Sequence, residues 1–135
     1  MLSRSVLFLL FSLFAFNALA AEEVDSDEEY IAYVELKPFT ANFGESTELH
    51  FVKCEITIQA GSSATEIALG EHLPSIRNDI LFLLMAQSVE SMNSVAAQKN
   101  LAKKALLIVK QRLIDEVGEE AADVSDLFFV SFVAQ

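Results

Sequence analysis

Two histidines, one cysteine and twenty carboxylates are the side chains with which this 135-residue chain could do chemistry, and their spacing assembles no catalytic set. His50 and His72 fall in different predicted elements, and neither has a Cys or His neighbour at zinc-ligand spacing. His72 precedes Leu73-Pro74 at a helix start, where packing or capping accounts for it. Glu119-Glu120 with Asp123 and Asp126 lack the D-x-[DN]-x-[DN]-G register of a calcium loop and read as a solvated turn. No H-E-x-x-H, G-x-S-x-G, P-loop or G-x-G-x-x-G is present. The residues therefore assign no catalytic group, no metal and no cofactor. Cys54 stands alone, so no intramolecular disulfide can form. It shares a strand face with Val52, Ile56 and Ile58, the setting of a buried structural thiol.

Charge is the second chemical resource. With Arg4 set aside, eight basic residues face twenty acidic ones, a balance of −12. That argues against nucleic acid, whose phosphates need a basic footprint, and against electrostatic adhesion to anionic lipid. Yet five of those eight cations fall in one predicted helix: Lys99, Lys103, Lys104, Lys110 and Arg112. At 3.6 residues per turn Lys99, Lys103 and Lys110 project on roughly one side. They form either a solvated helix face or a candidate interaction stripe for an acidic surface, such as the acidic spacer of a neighbouring copy. Arg77 and Asp79 flank apolar helix positions and are placed to pair across elements.

The leader sets the compartment. Arg4, an apolar run from Val6 to Phe16 and small residues at Ala18 and Ala20 make a secretory signal pattern, with cleavage expected between Ala20 and Ala21. A short uncleaved anchor would look much the same, so residues 1–20 are a signal peptide or an N-terminal membrane tether. Residues 21–29, with Glu22-Glu23-Val24-Asp25-Ser26-Asp27-Glu28-Glu29, read as an acidic flexible spacer. Residues 30–135 are then a single exported domain by length.

Within that domain the elements follow from periodicity. Ala32, Val34 and Leu36 alternate with Tyr33, Glu35 and Lys37, the mark of a half-buried strand. After Pro38 the parity flips, so that Phe39, Ala41 and Phe43 become the apolar set, as a bulge at the proline would cause. Leu49 to Gln59 forms the clearest strand and closes a hairpin through a turn around Gly44. Ser63 with Glu66 has capping-box spacing and opens a short helix to Ala68 or Leu69. Pro74 starts a second helix over about Ser75–Gln87, with Ile76, Ile80, Leu83 and Leu84 as its core stripe. A cap within Ser91–Ser94 starts a third and longest helix that ends near Val117, before Gly118. Ala102, Leu106, Val109, Leu113 and Val117 are its predicted buried stripe, widened by Ala105, Ile108 and Ile114. Val124–Val133, apolar on both faces, predicts a strand central in the sheet or covered on both sides. The fold class is α+β: a small antiparallel sheet against about three helices, in the order β-β-α-α-α-β.

Three segments, in this order, resemble the flagellar basal-body-associated FliL family. They are Tyr33-Val34-Glu35-Leu36-Lys37-Pro38-Phe39-Thr40-Ala41-Asn42-Phe43, the helix opening His72-Leu73-Pro74-Ser75-Ile76-Arg77-Asn78-Asp79-Ile80-Leu81, and the closing strand Phe128-Phe129-Val130-Ser131-Phe132-Val133-Ala134-Gln135. Pro38, Phe39, Pro74, Ile76, Arg77, Phe132 and Gln135 are the positions that carry the likeness, which spans about residues 30–135. It implies a stomatin-like (SPFH) periplasmic domain at the inner membrane, without enzymatic activity. It also implies homo-oligomeric rings around the flagellar stator units and support of torque and motility. The front end is shorter than the family pattern of a basic cytoplasmic segment, a full spanning helix and a longer linker. The other reading is a soluble periplasmic binding or regulatory module that reuses the fold without a flagellar partner.

Overall fold

The computed structural model describes residues 29–45 and 47–135, so the leader, the Ala20–Ala21 cleavage point and the spacer up to Glu28 lie outside the described residues. β1 (Ala32–Phe43) and β2 (His50–Ala60) form the hairpin that the alternation predicts, and β3 (Val124–Ala134) returns after the helices. Three α-helices intervene: α1 (Ser63–Glu71), α2 (Leu73–Met85) and α3 (Val95–Val117). All strand pairs are antiparallel, in the order β1-β2-β3. The expected α+β class and element order are thus met.

The proline bulge is present. Leu36 pairs with Ile56 and Phe39 with Cys54, which leaves Lys37 and Pro38 together opposite Glu55. The extra residue turns Phe39, Ala41 and Phe43 back inward, and all three are buried. On β2 the side chains of Val52, Cys54, Ile56 and Ile58 point into the same core, which the buried stripes of α2 and α3 complete.

Four expectations are corrected. β3 is an edge strand, not a central one, because the hairpin leaves β2 in the middle and the helices cover one face of the sheet. Its inward set is Leu127, Phe129, Phe132 and Ala134, opposite the buried positions of β2, whereas Phe128, Val130 and Val133 are left exposed. Val130 is itself an extra residue between Phe129 and Ser131, so the apolar run on both faces partly records a bulge. Second, α1 is capped by Ser62, whose Oγ accepts from the Thr65 amide at 3.1 Å, one residue before the predicted Ser63. The buried Thr65 Oγ1 in turn accepts from the Asp123 amide at 3.1 Å and ties α1 to the start of β3. Third, α2 runs about two residues earlier than predicted and buries Ile76, Ile80 and Leu84, with Leu83 half-buried. Fourth, the buried line of α3 keeps the predicted Ala105, Val109 and Leu113 but runs through Leu101 in its first half and stops short of Val117. Leu101, Ala105, Val109 and Leu113 are buried, Ala102 and Leu106 are half-buried, and Val117 is exposed.

Two glycines are set by geometry. Gly118 ends α3 at φ +91°, a left-handed conformation that side chains resist. Gly61 sits where β2 meets the start of β3; a Cβ there would lie 2.4 Å from Asp123 Oδ2 and 2.8 Å from Ser125 Oγ.

Candidate functional site

Four of the seven residues that carry the sequence likeness converge on one joint. α2 presents Arg77 to the β1 bulge, where one guanidinium nitrogen donates to the Lys37 carbonyl and Nη2 donates to the Pro38 carbonyl at 3.2 Å. The guanidinium carbon lies 4.2 Å from the centre of the Phe39 ring, a cation–π contact. Because two successive residues oppose one, the bulge leaves carbonyls without ladder partners, and a planar fork can reach both. Phe39, Pro74, Arg77 and Leu81 line a shallow cleft of about 320 Å³ at this joint. Ile76, next to Arg77, points the other way and is fully buried.

The opposite flank of α2 is fixed just as firmly. Asp79 takes a bidentate pair from Arg112 of α3, with Nε to Oδ2 at 2.7 Å and Nη2 to Oδ1 at 2.9 Å. Arg112 also reaches Glu116 at 3.3 Å, and Glu116 lies 3.9 Å from His72 Nδ1. The hydrogen bonds it donates to Asp79, then the charge of that carboxylate, push the Arg112 guanidinium further above its ordinary value, so this cation stays charged at any working pH. Arg77 and Asp79 therefore both pair across elements, in opposite directions. His72 joins this network and makes no side-chain cap to α2.

The remaining family positions lie apart from the joint. Phe132 packs edge-on against Phe129 with ring centres 5.0 Å apart, which braces the β3 bulge from inside. Gln135 exchanges two backbone hydrogen bonds of 2.9 Å with Phe51 and so closes the last rung of the sheet.

The lysines of α3 stand elsewhere again. Lys99 and Lys103 border a groove of about 430 Å³ between α3 and β3, whose walls include Ala102, Leu106, Leu127 and Phe128. Lys110, about two turns beyond Lys103, is half-buried and does not line it. Among the described residues none of Lys99, Lys103, Lys104 and Lys110 has a carboxylate within 4.0 Å. The groove was invisible in the sequence, because the turn of α3 that puts Ala102 and Leu106 beside β3 is set by packing.

Little in the molecule is arranged for bond chemistry. Burial pushes the Cys54 thiol up to about 12, which keeps it protonated and unreactive. His50 rests against the Phe43 ring and lies 3.7 Å from Glu48. Among the described residues no three His, Cys, Asp or Glu side chains come together as a metal ion would require. Among them, too, no helix is long and apolar enough to cross a membrane.

No curated protein matches the chain. The family pattern described as flagellar basal body-associated protein FliL matches residues 33–135, from the second residue of β1 to Gln135, just past β3. That span holds the bulge, the Arg77 clamp and the closing strand, and on this ground the chain belongs to the flagellar basal body-associated FliL family.

Proposed function

We propose that this protein is a non-enzymatic, periplasmic component of the flagellar basal body that self-assembles beside the stator units and supports motility through protein contacts. Family membership over residues 33–135 is the observation that carries the reading. The placement of the family residues agrees with it, since they brace a bulge and close a sheet instead of surrounding a reactive atom. An assembling domain also needs apolar surface on more than one side. Here Tyr33, Phe51 and Val133 are exposed on the open face of the sheet, while Phe82 and Leu107 are exposed on the helical side. The expected location follows from the leader, with export either as a cleaved chain or tethered by residues 1–20. The stomatin-like character of the domain is part of the same proposal.

The test is genetic and biochemical together. Deletion of the gene should abolish or reduce swimming, and the tagged protein should co-purify with basal bodies as a discrete oligomer. Normal motility, or a monomer absent from basal bodies, would leave the soluble periplasmic module as the better reading. N-terminal sequencing from envelope fractions separates the two forms of the leader: a chain beginning at Ala21 excludes the tether, and an intact Met1 establishes it.

A further inference from the structure

We propose that the groove between α3 and β3 is the docking site of the chain's own acidic segment, Glu22–Glu29. Three observations point there. The groove has a cationic rim and an apolar floor: Lys99 and Lys103 stand over Leu106, Ala102 and Phe128 with no carboxylate partner among the described residues. Among the described residues β3 is an edge strand, 11 residues long without proline or lysine, and one side of its backbone has no ladder partner. The opposite edge, β1, carries both Lys37 and Pro38 and is blunted. The third observation is the occupant. Glu22–Glu29 holds six carboxylates around a single apolar side chain, Val24. In an extended segment Val24 points to one side and Glu23 and Asp25 to the other. Added to the edge of β3, the segment turns Glu23 and Asp25 to the helix side, toward the lysines, and Val24 to the open face beside the exposed Phe128, with its backbone extending the sheet.

Reach selects the chain itself as the source. β1 begins at Ala32 opposite Ala60, and Ala60 pairs with Val124 at the start of β3. The start of β1 is therefore about 10 Å from the start of β3, two strand spacings away. Eight extended residues span about 26–29 Å, enough to cross the end of the sheet and enter the groove. Exposed ion pairs are individually weak, and a tether supplies the high effective concentration that a free acidic partner lacks. Asp126 also borders the groove, with its carboxylate held by the Leu127 amide at 2.8 Å. It repels the segment locally and directs its acids toward the helix side.

Zero-length carbodiimide coupling tests this on the full-length chain in detergent at low salt, with equal parts of ¹⁵N-labelled and unlabelled protein. The expected result is isopeptide links from Glu22–Glu29 to Lys99 or Lys103, within isotopically uniform chains, lost when salt is raised to about 0.5 M, where screening is strong. Lys99→Glu with Lys103→Glu should remove the links, and adding Glu23→Lys with Asp25→Lys should restore them in reversed polarity. Circular dichroism on each variant checks that the exposed substitutions leave the fold intact. Links between labelled and unlabelled chains would overturn the proposal in favour of a second copy. Links to Lys37 or Lys53, or none at all, would overturn it outright. No flagellar partner enters the experiment, so its failure is separate from failure of the proposed function.

Discussion

Arg112 and the pair Lys99 and Lys103 lie toward opposite ends of α3, are cations of different kinds and do different work. Near its C-terminus Arg112 is forked onto Asp79 and reaches Glu116, so its charge is spent inside the molecule. In its first turns Lys99 and Lys103 border a groove and have no carboxylate within 4.0 Å among the described residues. The planar guanidinium fits a fixed carboxylate in two-point fashion, whereas an ammonium on a flexible stem suits a partner that comes and goes. One helix thus serves as a rivet at one end and as a rim at the other. α2 shows the rivet side twice over, with Arg77 clamping the β1 bulge on one flank and Asp79 taking Arg112 on the other.

If that division is right, substitutions at the two ends should differ in size and kind. The largest effect is expected at the joint end of the core. Leu113→Ala removes a fully buried side chain of α3 and should cost about 2–5 kcal/mol in denaturant unfolding. Alkali should act next. Burial holds the Cys54 thiol at about 12 against an ordinary 9.0, so above pH 9 the unfolded chain releases a proton that the folded one keeps. The stability this group contributes is whole below pH 9 and declines as pH rises toward 12, by on the order of a few kcal/mol. Cys54→Ala lowers stability at neutral pH but should flatten that decline; an unchanged slope would mean that other groups cause it. Arg77→Lys keeps the charge yet cannot span two carbonyls, and should lower stability by about 1–2 kcal/mol. Hydrogen exchange at the β1 bulge should rise in the same variant. Smallest of all, Lys99→Glu with Lys103→Glu should shift unfolding by no more than about 0.5 kcal/mol. A large loss there would erase the contrast, since those lysines would then be structural as well.

Local patterns made much of this legible in advance. Alternation over Ala32–Leu36 and its reversal after Pro38 located a bulge, because a strand has a side-chain period of two and an inserted residue inverts it. Val52, Cys54, Ile56 and Ile58 announced the core face of β2 for the same reason. Gly118 and the serines before Val95 bounded α3 by cap chemistry that acts within one turn.

What lay beyond sequence was everything settled between elements. Leu101, outside the expected stripe, is buried while Ala102 and Leu106 are only half-buried, because a helix apolar over half its circumference does not reveal which line will face its neighbours. β3 read as central or covered on both sides, since apolar residues on both faces look alike whether covered or bare; pairing with β2 alone makes it an edge, and the one-sided layer of helices leaves its outer face bare. Arg77 and Asp79 could be named as pairing residues, but their partners come from segments more than 30 residues away. Periodicity and capping are local and were written in the chain, while the partners of charges and the uncovered edge depended on how the sheet and the helices packed together.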